Sequence, residues 1–235
     1  MNQLKYVQRI LDRFKMSECK LKPLPYDLSV YNENSNDSKE LVDAKLHREI
    51  VGSLVYVMTA SRPDLCYIIT MLSQYMSNPT KANLNLAKHV LRYLKGTLFY
   101  DLKFHKANMK LIGYCDSDWD TSCDRHSITG YCYHLNSYGP IISWRSKKQS
   151  VVALSSCEAE YIALTSAIQE AKFLQQLFVD MQGVISNLIF CLPIIKVLYL
   201  YVKILCTTKD PSISIYHFIR LEIQNGNIDL ICTFR

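Results

Sequence analysis

The feature that most constrains this chain is a change of hydrophobic period near residue 101. Before it, apolar residues recur at helical spacing; after it they alternate, and then return to helical spacing behind a capping box. A chain with that order packs helices on helices first and a helix on a sheet second. Its 235 residues suffice for one large or two small domains, and 49% hydrophobic with 20% charged residues excludes a disordered tail or a fibrous repeat.

Near the start, Leu4, Val7, Ile10, Leu11 and Phe14 share one helical face, and the polar stretch Tyr31 to Ser38 reads as a loop. Leu46, Ile50, Val51, Leu54 and Met58 predict a helix ending at Ser61, where Ser61-Arg62-Pro63 is expected to cap and open the next. That next helix buries Leu65, Ile69, Leu72 and Met76 and stops at Asn78-Pro79. Another follows through Leu84, Ala87, Val90, Leu91 and Leu94, with Gly96 expected as a left-handed terminator.

Past residue 101, LIGYCDSDW alternates as a strand ending in carboxylates. GYCYHLN after a Thr-Gly turn and PIISWRSK after Tyr138-Gly139 complete an antiparallel meander. Ser155-x-x-Glu158 is a capping box opening a helix with Ala159, Ile162, Ala163, Ala167, Ala171, Leu174 and Leu177 on adjoining faces, ended by Gly183. A β-branched stretch from Ile194 to Val202 is the next expected strand, giving an α/β layer architecture.

Charge and cysteine usage narrow the partners. Of 27 basic and 21 acidic residues, 14 and 9 fall in residues 1–100, which makes that half the expected polyanion-facing surface. Nine cysteines, an odd number with no C-x-x-C, fit a reducing compartment, intracellular and either cytoplasmic or nuclear. No membrane is expected as partner: in the most apolar stretch, Leu188 to Cys206, Pro193 breaks the run, and Lys196 and Lys203 would put a cation near the bilayer centre at about 2.5–3.5 kcal/mol.

Asp116 and Asp118, two apart on a strand, point to one face, and Asp120 would join them. Such hard oxygen donors suit Mg²⁺ or Mn²⁺, although a solvated strand end carries the same residues. Glu160, in the first turns of the capped helix, either complements the helix dipole or faces the sheet and reaches the same cation as Asp116. Arg145, Lys147, Lys148 and Gln149, placed between strand and helix, either grip phosphates or form a solvated loop. There is no G-x-x-x-x-G-K-[ST], no G-x-G-x-x-G and no Ser/His/Asp arrangement, so nucleotide binding by those motifs and acyl transfer lack support.

Taken in order, LHREIVGSLVYVMTASRPDLCYII, AKHVLRYLKGT, LIGYCDSDWD, SITGYCYHL, ISWRSKKQSVVALSSCEAEYIAL and IYHFIRLEIQNGNIDL resemble the Pol polyprotein of copia-type LTR retrotransposons. The resemblance runs from the end of the reverse transcriptase through the RNase H domain and is weakest between 184 and 213. It implies an RNase H-like mixed sheet with a packed helix over residues 101–235, degenerate from about 184 and truncated, behind a helical thumb/connection remnant over 1–100.

The function it implies is metal-dependent hydrolysis of RNA in RNA/DNA hybrids during reverse transcription, impaired in this chain. A non-catalytic nucleic-acid-binding remnant or an inactive pseudogene product is the alternative. Asp116 and Glu160 map to family catalytic and metal-ligating carboxylates for Mg²⁺ or Mn²⁺, with Asp118 a further candidate ligand and Arg145, Lys147 and Lys148 as nucleic-acid contacts. Partners so implied are an RNA/DNA hybrid or other nucleic acid, and remaining Pol regions. The family's third carboxylate follows a strand like IIKVLY; here LYVKILCTTKDP stands there, and Asp210 is out of register. The chain ends at Arg235, before the region of the fourth ligand and closing helix. No Y-x-D-D occurs, which excludes polymerase activity, and Trp119 and Trp144 are expected in the core.

Overall fold

The computed structural model describes residues 1–27, 40–106, 110–119, 124–136 and 139–182, together with the backbone of strands at 188–192 and 228–232. The expected Tyr31–Ser38 loop, Asp120, Gly183 and the Ile194–Val202 stretch lie outside the described residues. The chain divides into two units, Met1–Lys103 and Phe104–Arg235.

In the first unit the apolar faces read from the sequence become one core. Helix α1 (Leu4–Arg13) buries Val7, Ile10 and Leu11, and α2 (Ala44–Ser61) buries Ile50, Val51, Leu54 and Val57. Asp43 caps α2, its side chain accepting from the Lys45 amide at 2.8 Å. A 3₁₀ turn, Pro63–Leu65, leads into α3 (Cys66–Ser73), and Thr80 caps α4 (Lys81–Gly96), whose Leu84, Ala87, Val90, Leu91 and Leu94 are buried.

Helix α2 ends at Ser61 as expected, but two cap roles and one helix end differ from the sequence reading, each through bonding that spacing does not reveal. Ser61 caps nothing: its hydroxyl donates to Gln3 Oε1 at 2.7 Å, and Arg62 leads into the 3₁₀ turn. Helix α3 stops at Ser73, because the Gln74 and Tyr75 amides turn to the Met71 and Leu72 carbonyls at 3.2 Å in a tightened last turn; Met76 lies beyond, only half-buried. Gly96 is the last residue of α4 and not its left-handed terminator; Thr97 closes the helix, its hydroxyl donating to the Tyr93 carbonyl at 2.9 Å.

The second unit is a five-stranded sheet in the order β3-β2-β1-β4-β5. Strands β1 (Ile112–Asp118), β2 (Ile128–His134) and β3 (Ile141–Lys148) form the antiparallel meander. Thr129-Gly130 is not a turn but lies inside β2, where Gly130 pairs with Asp116 on one side and Ser146 on the other. Helix α5 (Ser156–Gln182) returns the chain to β4 (Leu188–Leu192), parallel to β1, and β5 (Ile228–Cys232) lies parallel to β4. The strand following α5 therefore precedes the expected Ile194–Val202, a short connection of the kind usual between helix and strand.

Small residues set how closely α5 sits on the sheet. Ala159, Ala163, Ala167 and Ala171 are fully buried, and the Tyr133 hydroxyl reaches across from β2 to donate to the Ala167 carbonyl. The capping box forms: the Glu158 amide donates to Ser155 Oγ at 3.2 Å, while the Glu158 carboxylate accepts from Leu154 N at 2.7 Å. Neither tryptophan is in the core. Trp119 is 42% exposed, its indole N–H donating to the Ala153 carbonyl, and Trp144 is half-buried on β3.

Candidate active site

Strand β1 and helix α5 each bring one carboxyl group to a common point. Alternation turns Cys115 and Ser117 toward α5 and leaves Asp116 exposed at the strand's carboxylate end. Glu160 lies one turn into α5, beside buried Ala159 and Ala163, and its carboxyl is in hydrogen-bonding contact with that of Asp116. The Ser117 amide donates to Glu160 Oε1 at 3.3 Å, tying the helix side chain to the strand backbone.

Burial, then the negative charge of Asp116, raises the Glu160 carboxyl from its ordinary 4.5 to about 7, against the Ser117 amide, which favours the charged form. Near neutral pH Glu160 therefore keeps its proton part of the time, and a cation binding there would displace it. Neighbouring Cys115 is no nucleophile: burial first, then Glu160 and Asp116, push its thiol well above the ordinary range.

The other sequence candidates are placed differently. Asp118 ends β1 half-exposed, on the Asp116 face of the strand, yet among the described residues no three acidic, histidine or cysteine side chains gather where they could hold a metal ion. On the opposite flank β4 pairs with β1 through Tyr114↔Cys191, so Leu192, one residue on, is the last strand position before the level of Asp116. The β4 sequence LIFCL carries no carboxylate.

Arg145, Lys147 and Lys148 belong to β3 itself rather than to a loop after it. Arg145 and Lys147 are exposed, while Lys148 is ion-paired with Asp124. Gln149, present in the sequence run but given no separate role by its pattern, is 6% exposed and donates to Thr129 Oγ1 and the Ala159 carbonyl at 3.0 and 2.9 Å. Its only sequence signal was an amide among cations, which spacing cannot distinguish from a solvated side chain.

As a donor set, the Asp116–Glu160 pair suits one hard divalent cation in kind, since Mg²⁺ commonly takes one or two carboxylates and keeps several waters. It falls short in number of what a two-ion site needs.

No family model matches the chain. An uncharacterized mitochondrial protein of Arabidopsis thaliana is 40% identical over 171 residues, 71% of this chain and 69% of that protein. The retrovirus-related Pol polyprotein from transposon RE2 of Arabidopsis thaliana is 34% identical over 98% of this chain and 16% of its own length. That from transposon TNT 1-94 of Nicotiana tabacum is 37% identical over 75% of this chain and 14% of its own length. Among solved structures, an RNase H1 isolated from compost aligns with a TM-score of 0.41 at 16% identity over 55% of this chain and 86% of that one, too slight a likeness to carry a function across.

A mixed sheet in this strand order, with a long helix on its inner strands, has the RNase H-like fold. The chain belongs to the Pol polyproteins of copia-type LTR retrotransposons, of which it spans about one seventh to one sixth. Among the described residues no helix is long and apolar enough to cross a membrane.

Proposed function

We propose that the second unit is a metal-dependent nuclease site for the RNA strand of an RNA/DNA hybrid, reduced in activity, and that the first unit is the thumb/connection part of a reverse transcriptase. The observation that carries the nuclease reading is the contact between Asp116 and Glu160, made from two different elements across the sheet–helix interface. A structural ion pair would oppose unlike charges. Two like groups brought together at a partly exposed strand end are what a cation site requires and what folding alone disfavours.

Asp116 and Glu160 would hold a Mg²⁺ or Mn²⁺ ion, with Asp118 at the rim. When bound, such an ion lowers the pKa of its water and stabilises the leaving oxygen of an in-line displacement. The chain's own residues do the positioning. Ser117 N–H holds the Glu160 carboxyl, the alanine face of α5 sets the helix-to-strand distance, and Arg145, Lys147 and Lys148 contact the strand backbone. Reduced activity follows from the apolar end of β4, which adds no third carboxylate beside the pair. Work on such hybrids places the protein inside the cell, in cytoplasm or nucleus.

The test is cleavage of a labelled RNA/DNA hybrid by the full chain in Mg²⁺ and in Mn²⁺, beside Asp116→Asn and Glu160→Ala. Weak cleavage lost in both variants is expected. Cleavage that survives either substitution would put the chemistry elsewhere, and hybrid binding with no cleavage in either metal would leave only the recognition function.

A further inference from the structure

In the helical unit, the end of α1 meets α2 and α4 around a hollow of about 280 Å³. Met16, Ile50 and Leu91, all buried, form its floor, and half-buried Phe14 and Leu46 complete an apolar lining. The rim is cationic, with Arg13 from the last turn of α1, Lys15 from the turn that follows and Lys88 from α4. Among the described residues no acid lines the hollow, and neither Lys15 nor Lys88 has an ion-pair partner; only Arg13 is answered, by Glu49 at 2.9 Å.

Lys15 stands there at a conformational cost. The chain leaves α1 through a Schellman turn, in which the Met16 amide donates to the Leu11 carbonyl at 2.7 Å and the Lys15 amide to the Asp12 carbonyl at 3.1 Å. That turn puts Lys15 at a φ of 56°, in the left-handed region that glycine enters freely and lysine does not. The turn asks for glycine, and the lysine found in its place sets a cation beside the hollow.

An apolar floor ringed by unanswered cations is complementary to a short peptide that carries a large apolar side chain between carboxylates. A nucleic-acid strand fits it less well. Phosphates gain nothing from an aliphatic floor, and the one aromatic ring, Phe14, packs on the core with the Arg13 guanidinium 5.4 Å above it, a poor platform for a base. A second copy fits less well too, because 14 basic against 9 acidic residues in 1–100 oppose this surface pairing with itself.

We propose that this hollow docks an acidic, apolar-centred peptide segment of a protein partner, with the apolar side chain on Ile50 and Leu91 and the carboxylates on Lys15 and Lys88. The docking site concerns the helical unit alone and stands or falls apart from the nuclease reading.

The test is fluorescence anisotropy of a dye-labelled, end-blocked hexapeptide, leucine and phenylalanine flanked by acidic residues, titrated with the full chain, while amide NMR locates the site. Saturable binding that weakens with salt is expected, with amide shifts at Met16 and Leu91. Replacing the apolar pair of the peptide by serine should weaken binding about tenfold or more, and replacing its acids by glutamine should remove the salt dependence. Lys15→Gly and Lys88→Gln should each weaken binding about threefold to fivefold. Lys15→Gly should do so without lowering the urea midpoint of the helical unit, so that lost binding is not lost folding.

Failure of the hexapeptide to bind would overturn the proposal, as would equal binding of the serine peptide, which would reduce it to charge alone. So would wild-type affinity in both lysine variants. A single-stranded DNA hexamer that displaces the peptide and shifts the same amides would make the hollow a nucleic-acid surface instead, and self-association abolished by both variants would give it to a second copy.

Discussion

Arg62 in the helical unit and Glu160 in the sheet unit are both ionisable groups drawn inward, and they are treated in opposite ways. Arg62, 4% exposed, is bidentate to Asp64 at 3.0 and 2.7 Å and donates to the Thr97 carbonyl and hydroxyl at 3.1 and 2.7 Å. Its guanidinium also lies over the Tyr93 and Tyr100 rings, and Asp64 accepts from the Tyr93 hydroxyl, whose pKa rises to about 12 through burial and then Asp64. Glu160 meets a like charge and one backbone amide. Where the fold answers a buried charge with its opposite, the charge is part of the scaffold; where it answers with the same sign, the balance is left for something else to supply.

The largest effect expected from this contrast is at Arg62. Arg62→Met leaves Asp64 without its cation and Thr97 without its donors, and breaking a buried pair from one side costs about 3–5 kcal/mol. Urea unfolding followed by a helix-sensitive signal, alongside hybrid binding, should show the helical unit lost early while the sheet unit still binds. If Arg62→Met costs under about 1 kcal/mol, the network is ornament and the contrast fails.

Next is the alanine face of α5. Ala167→Leu forces a larger side chain into a fully buried position beneath the Tyr133 hydroxyl and should cost about 1–3 kcal/mol. Because the same interface sets the Asp116–Glu160 contact, cleavage should fall further than stability. A variant that is destabilised but cleaves at the wild-type rate would detach the pair from the helix packing.

The two units should also answer pH with opposite signs. In the helical unit, burial lowers the His47 pKa below its ordinary 6.5 against the raising effect of the Leu72 carbonyl. The folded state then holds that proton less well than the unfolded state, so stability is full above pH 6.5 and declines as pH falls below it. In the sheet unit, the Glu160 pKa is raised from 4.5 to about 7, so the folded state holds the proton better and stability declines as pH rises through that window. Allowing for its partial exposure, the penalty above pH 7 is roughly 1–2 kcal/mol. In EDTA, Glu160→Gln should exceed wild type by that much at pH 8 and match it at pH 4, below the ordinary carboxyl pKa; equal pH profiles would show that the carboxyl repulsion is screened away.

What was legible in the sequence follows the same division. Apolar periodicity placed α1, α2, α4, the meander strands and the α5 cap, because burial acts on residues close in sequence. It missed the cap roles at Ser61 and Gly96 and the end of α3 at Ser73, decided by the Ser61 hydroxyl donating to Gln3 and by bonding within the last turns. Asp116 and Glu160 could be nominated by strand parity and helix position, but their contact needed the sheet–helix interface. β4 at Leu188–Leu192 was not among the expected strands, which were sought in the more β-branched Ile194–Val202, outside the described residues.

The smallest expected effect separates structure from function most cleanly. Thr80 and Ser155 are matched caps, each accepting from the amide three residues on, at 3.4 and 3.2 Å. Replacing either by alanine should cost about 1 kcal/mol, measured by chemical unfolding of the corresponding unit. Only Ser155 opens the helix that carries Glu160, and a first turn that frays loosens that carboxyl from the Ser117 amide. Ser155→Ala should therefore lower hybrid cleavage beyond its cost in stability, whereas Thr80→Ala should leave cleavage where it was. Equal cleavage in the two variants would mean that α5 packing alone holds Glu160 in place and that the cap belongs to the scaffold.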